Sequence, residues 1–226
     1  MNIVSIYILI LGTNRICREH FSENMGMEFS FIDFNDIENV RAHIKSNTKL
    51  IFSETPTNPT LTLVDLDAVS ALAKEHNLLH CVDSTFATPI ICRPLDHGAD
   101  LVVQSTTKFY DGHNITVGGA VIAATEELDA RMHHVQNMHG NIMSPMNAFL
   151  QLQTIKTMGL RVTRQSSMYT YIHTYTFITL NPCITHTSHH HIMALLDPTV
   201  FYFKTLYIYI QSYVYSLLPW VITNPQ

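Results

Sequence analysis

Two short stretches carry side chains that could do chemistry. Val82-Asp83-Ser84-Thr85-Phe86 sets a carboxylate directly after the apolar run at residues 78–82. Ser105-Thr106-Thr107-Lys108 sets an amine just after the apolar run at residues 101–103. A carboxylate leaving an apolar strand is costly unless it is paired. A lysine in such a place has its ammonium form disfavoured by burial, which makes it a nucleophile. Taken singly, each piece has a structural reading, because an Asp can simply close a strand and a Ser-x-x-Lys spacing arises by chance. Taken together, an amine, a carboxylate and hydroxyls just before the amine match the needs of one cofactor. Pyridoxal phosphate requires an amine for its Schiff base, a carboxylate at its ring nitrogen and donors for its phosphate.

These groups can cooperate only if the elements before them bring their ends together. Residues 28–33 (EFSFID) alternate as a strand does, and residues 35–45 follow with Ile37, Val40 and Ile44 at helical spacing. Asp36 and Glu38 near the start of that helix suit its dipole. Residues 49–52 read as a short apolar strand, and Thr55-Pro56-Thr57-Asn58-Pro59 as a rigid turn in which two prolines forbid helix. Residues 65–76 repeat apolar side chains at Leu66, Val69, Leu72 and Ala73, the pattern of an amphipathic helix. Strands at 78–82, 101–103 and 118–124, a short helical piece at 94–98 and a helix at 126–138 complete the alternation. Strands separated by helices in this way imply an α/β domain with a parallel sheet covered on both faces. Ligands in such a sheet gather beyond the carboxyl ends of the strands. The apolar run at 3–11 has no basic residue ahead of it and reads as a buried strand, not a signal peptide.

Composition narrows the classes. The chain has 226 residues, a formal net charge of −5, 46% hydrophobic and 14% charged residues. A mildly acidic chain is not built for nucleic acid, whose binding rests on clustered basic residues. A chain this apolar is not intrinsically disordered. Cys17, Cys81, Cys92 and Cys183 are widely spaced, without a CxxC pair, which argues against a disulfide scaffold or a structural zinc site. They agree with a reducing compartment, so a cytoplasmic location is expected. Residues 169–226 stand apart, with only two charged residues, Asp197 and Lys204, and no glycine. Tyr171-Ile172-His173-Thr174 is what a four-base TACA repeat gives when read in triplets, so this tail is expected to be non-native translation. Its uncharged stretch at 205–222 is interrupted by Gln211, Ser212 and Pro219, and a β-prone segment is expected there in place of a membrane span. His189-His190-His191 is not expected to hold a metal, because successive residues on a strand point to opposite faces.

The stretches SETPTNPTLTLVDLDAVSALAKEH and VDSTFATPIICRPLDHGADLVVQSTTKFYDGHNITVGGAVI resemble the Cys/Met-metabolism family of pyridoxal-phosphate enzymes, which includes cystathionine γ-lyase, cystathionine γ-synthase and methionine γ-lyase. The resemblance runs from about Gly12 to Met168. It implies an aspartate-aminotransferase-like, fold type I large domain with a mostly parallel sheet, flanked by an N-terminal segment at 1–11 and the atypical tail at 169–226. It implies that Lys108 forms the Schiff base, that Asp83 holds the pyridinium proton, and that Ser105 and Thr107 bind the phosphate. It also puts Asn58 near the ring's 3′-oxygen and Thr85 against the cofactor. Glu54 matches a family position but reads equally as a buried, paired carboxylate. His113 matches the turn after the lysine and is expected to make a structural hydrogen bond.

The implied activity is carbon–sulfur bond cleavage in transsulfuration, a γ-elimination on cystathionine or methionine. The expected assembly is a homo-oligomer of the tetramer-of-dimers type. Departures bear on that expectation. Ile10 stands where the family has a ring-stacking tyrosine. The family's upstream phosphate-binding residues and its downstream small domain, whose arginine binds the substrate carboxylate, have no counterpart in these stretches. The alternative is a catalytically inactive cofactor domain or an interaction partner of full-length subunits, and the isolated chain is expected to be poorly soluble and inactive.

Overall fold

A computed structural model describes residues 2–6 and 11–179. Six strands form one sheet: Asn2–Ile6 (β1), Glu28–Ile32 (β2), Thr48–Glu54 (β3), Leu79–Asp83 (β4), Leu101–Ser105 (β5) and Gly119–Ala123 (β6). Their spatial order is β2-β1-β3-β4-β5-β6. The pairings β1–β2, β1–β3, β3–β4 and β4–β5 are parallel. The last pairing, β5–β6, is antiparallel. The sheet is thus mostly parallel, as the resemblance implied, and its one antiparallel pairing has a physical reason. A parallel return needs a crossover, usually a helix, and residues 106–118 form turns and loop with no helix.

The helical elements are Leu11–Arg15 (α1), a π-helical stretch Ile16–Ser22, Glu23–Met25 (α2), Ile37–Ala42 (α3), Leu66–Glu75 (α4), Thr88–Ile91 (α5), a 3-10 turn Pro94–His97, Glu126–His139 (α6), Pro145–Thr154 (α7) and, after a second 3-10 turn, Met158–Thr179 (α8). Their starts follow local chemistry. The Asp65 side chain accepts from Ala68 N, Thr125 from Leu128 N and Ser144 from Asn147 N, so the three longer helices of the mid-chain each begin at a side-chain cap. α4 buries Leu66, Val69, Leu72 and Ala73, the stripe its sequence spacing implies. The segment 3–11 differs from its reading as one strand: β1 covers Asn2–Ile6, and a helix begins at Leu11.

The core lies along β3, β4 and β5. Every residue of β5 is buried, as is every residue of β3 except Lys49. Burial of successive residues means that both faces of these strands are covered. Each fully buried aliphatic there, such as Leu50, Ile51 or Leu101, contributes roughly 1.5–3 kcal/mol relative to an exposed one. Polar side chains are buried within this core too, His80 among them. His80 of β4 is fully buried, with Nε2 2.9 Å from Ser53 Oγ and Nδ1 2.8 Å from Ser70 Oγ. Burial pulls its pKa down to about 3, so the ring is neutral and each nitrogen is satisfied by a hydroxyl.

α8 runs without a break across the change of composition at Met168 and Tyr169. The uncharged stretch at 205–222 and His189-His190-His191 lie outside the described residues. Among the described residues, no helix is long and apolar enough to cross a membrane, and no cluster of three His, Cys, Asp or Glu side chains is disposed to hold a metal ion.

Candidate active site at the strand ends

The carboxyl ends of β3, β4 and β5 lie side by side. Glu54, the last residue of β3, is in register with Asp83, the last of β4, and Asp83 is in register with Val103 of β5. Beyond the strands the backbones stay linked, with Thr55 N donating to Asp83 O at 3.1 Å and Ser84 N to Val103 O at 3.2 Å. Thr85 ties the two chemical strand ends together. Its N–H donates to Asp83 Oδ1 at 3.0 Å, and its Oγ1 accepts from Ser105 N at 2.8 Å. Asp83 and Thr85 are each 3% exposed, so this carboxylate is held in a fixed orientation away from bulk water.

The Thr55–Thr62 turn reaches the same edge. Asn58 N donates to Glu54 Oε1 at 3.0 Å, which gives the buried Glu54 carboxylate a backbone partner, as its structural reading implied. The turn closes through Thr57 N to Thr62 O at 3.0 Å, and both of its X-Pro bonds, Thr55-Pro56 and Asn58-Pro59, are cis. Asn58 itself is half-buried.

Lys108 sits in a compact turn that follows β5. Lys108 N donates to Ser105 O, Asp111 N to Thr106 O and Gly112 N to Lys108 O, at 3.2, 3.0 and 2.7 Å. The lysine is 8% exposed, and burial lowers its pKa to about 8. An amine with that pKa is substantially neutral at mildly alkaline pH, whereas an ordinary lysine is almost wholly charged there. Phe86 and Phe109, the neighbours of Thr85 and Lys108, meet edge-on at 6.3 Å between ring centres and pin the two segments together.

The two predicted phosphate hydroxyls differ in their surroundings. Ser105 Oγ is buried and makes no hydrogen bond with any described residue. The Thr107 hydroxyl accepts from Gly118 N at 3.0 Å and lies 3.3 Å from Gly118 O, to which it donates. Gly118 leaves no room for a side chain, since a Cβ would fall 2.6 Å from Met143 Cε and 2.7 Å from Thr106 Oγ1.

A brace around the Lys108 turn was not legible from motif spacing. The fully buried Asp111 carboxylate accepts from His113 N, Ile115 N and Thr116 Oγ1 at 3.0, 3.1 and 2.7 Å. His113 Nδ1 lies 2.6 Å from Asp111 O, a structural bond as expected for that histidine. Gln151 of α7 donates from Nε2 to Thr106 O, Thr106 Oγ1 and Thr116 Oγ1. Arg161 of α8 donates to Phe109 O and Tyr110 O. These partners lie tens of residues away along the chain, and only Asp111, within the turn itself, offered a local cue.

Comparison with known proteins bears on the family and the fold. The model of the Cys/Met metabolism PLP-dependent enzyme family matches residues 1–193. The match takes in the segment 1–11 and passes Met168, so it extends beyond the resemblance at both ends. Cystathionine gamma-lyase of Bacillus subtilis (strain 168) is 42% identical over 151 residues, 67% of this chain and 40% of that protein. Cystathionine gamma-synthase of Mycobacterium leprae (strain TN) is 40% identical over 155 residues, 69% of this chain and 40% of that protein. The crystal structure of cystathionine gamma-lyase from Lactobacillus plantarum complexed with L-serine superposes with a TM-score of 0.71 and 34% identity, over 75% of this chain and 45% of that one. The chain thus spans less than half the length of these relatives. With its fold type I sheet and a family match over most of its length, the chain belongs to the Cys/Met-metabolism family of PLP-dependent enzymes.

Proposed function

We propose that this chain carries the cofactor-binding half of a carbon–sulfur lyase of sulfur amino-acid metabolism, acting by γ-elimination on cystathionine or methionine through Lys108. The single observation that carries the reading is that the strand end holding the fixed Asp83 carboxylate is bridged by Thr85 to Ser105, at the start of the turn that buries the low-pKa Lys108. The residues present fit pyridoxal phosphate. The buried Ser105 Oγ has no partner among the described residues, as suits a hydroxyl that serves a ligand oxyanion. When bound, the cofactor supplies an aldehyde for condensation with amines and a ring that takes up electron density from Cα.

The chain's own groups have distinct tasks. Lys108 Nζ would hold the cofactor's aldehyde, and its free amine would move a proton between the substrate's Cα and a neighbouring carbon. Its lowered pKa keeps a usable fraction of free amine for that proton transfer. Asp83 holds the ring-nitrogen proton, and Thr85 N–H fixes the carboxylate that does so. Ser105 Oγ donates to the phosphate. Thr107 joins it by turning its proton from Gly118 O, its longer contact, while it keeps the bond from Gly118 N. Asn58, whose backbone N–H is held by Glu54, would serve the ring's 3′-oxygen.

We further propose a cytoplasmic location and a homo-oligomeric assembly, while the relatives' printed names, which include both a lyase and a synthase, bear on the reaction alone. The choice among reactions is tested by products. The protein, loaded with pyridoxal phosphate, is given cystathionine. Release of cysteine with 2-oxobutanoate is the expected γ-elimination. Release of homocysteine with pyruvate, or turnover only of an activated homoserine with cysteine, would overturn the γ-lyase assignment.

A further inference from the structure

We infer that Arg161 is the positioning residue that keeps the Lys108 turn closed, with Gly112 as its matched seat. The inference rests on the reading of Lys108 as the cofactor lysine and adds to it the device that shapes that lysine's surroundings.

Two acceptors of the turn are met from outside it by one side chain. The turn's own bonds use the carbonyls of Ser105, Thr106 and Lys108. The next two carbonyls, Phe109 and Tyr110, belong to a turn that does not continue into a helix, and half-buried backbone acceptors need partners. Arg161 supplies both, with Nη1 to Phe109 O at 2.8 Å and Nη2 to Tyr110 O at 3.3 Å. The same guanidinium reaches back to the α7–α8 junction. Nη2 donates to Thr154 O at 2.9 Å, and Nε to Thr157 Oγ1 at 3.0 Å. One planar group therefore fastens the two residues after Lys108 to two points on the helical layer. Only a rigid fork with several donors can do this, and a lysine ammonium cannot.

Gly112 completes the fit. It has φ +63, which favours glycine, and a Cβ there would collide with Nη1 and Cζ of Arg161. The turn thus accepts Arg161 only if residue 112 has no side chain. Among the described residues, no carboxylate lies within ion-pair distance of Arg161, so its bonds to the turn and the junction are the interactions that hold it in place. With the turn fastened, Lys108 stays 8% exposed. Released, the turn would let water reach the amine and remove the desolvation that lowers its pKa.

The test measures Lys108 directly and does not depend on turnover. The cofactor-free full chain is pulsed with an amine-acylating reagent across a pH series, and labelling of each lysine is read by peptide mass spectrometry, with exposed Lys45 as internal control. Wild type is expected to show a Lys108 midpoint near its lowered value. Arg161→Met and Gly112→Ala should each raise that midpoint by about one pH unit or more, and the double variant should rise no further than either single one. Arg161→Lys, which keeps the charge and stem, should not restore the wild-type midpoint and decides the matter if Arg161→Met fails to fold. A Lys108 midpoint unchanged in Arg161→Lys, or additive shifts in the double variant, would overturn the inference. If the variants shift as expected but borohydride traps no pyridoxal phosphate on wild-type Lys108, the cofactor reading fails and the clamp stands.

Discussion

The strand-end region at Glu54, Asp83 and Ser105 and the helical layer of α6, α7 and α8 are built on opposite principles. At the strand ends almost every side chain is buried, polar ones included: Thr55, Asp83, Ser84, Thr85, Thr106 and Thr107 are all nearly inaccessible. In the helical layer α6 buries Leu128, Met132 and Val135 in the core, but Met138, Met146, Leu152 and Leu160 are each more than 60% exposed. What joins α7 and α8 to the sheet near the site is largely polar, through Gln151 and Arg161. The sheet edge is thus held by packing and closed hydrogen-bond networks within the domain. α7 and α8 brace the Lys108 turn while apolar side chains such as Leu152 and Leu160 remain on the surface, as expected of a domain that matches less than half the length of its relatives.

That contrast can be broken or sharpened by substitution. Leu101→Ala, at a fully buried position of β5, should cost about 2–5 kcal/mol in urea unfolding. Leu152→Ala, 64% exposed on α7, should stay within about 0.5 kcal/mol. Equal costs would mean that the exposed faces are already covered in solution. Asp83→Asn should weaken binding of pyridoxal phosphate by roughly 1.5–3 kcal/mol, the scale of a hydrogen bond to a charged group, measured by fluorescence titration.

His80 gives an effect that is confined to acid. Its folded pKa is about 3, below the ordinary histidine value, so the unfolded chain binds a proton that the folded chain does not. Its contribution is complete above about pH 6.5 and is lost as pH falls from there towards 3, by up to roughly 1.4 kcal/mol per unit. Urea midpoints measured across this window should lose that slope in His80→Asn. Smallest of all, Arg41→Ala breaks an exposed pair with Glu75 and should leave the melting temperature unchanged within replicate scans.

The strands and the chemical residues were legible in sequence because they share local causes. Apolar runs ending in Asp83 and Ser105 are strand ends by pattern, and α4 declared itself through Asp65 and its buried stripe. The direction of β6 was not legible, since it depends on the absence of a helix between Ser105 and Gly119 and not on any residue of the strand. Nor was the brace. Gln151 and Arg161 look like ordinary helical polar residues until folding sets them against carbonyls of the Lys108 turn. The Ser53–His80–Ser70 cluster was hidden for the same reason, because three single polar residues on three elements carry no spacing signal.

The central claim is that Lys108 is the amine that holds the cofactor, steadied by Asp83 across the strand ends. The most direct measurement is to mix the chain with pyridoxal phosphate, reduce with borohydride, and locate the pyridoxyl group by peptide mass mapping. The account predicts a single dominant label on Lys108, abolished in Lys108→Ala. A label spread over exposed lysines such as Lys45, or one that persists in Lys108→Ala, would contradict it.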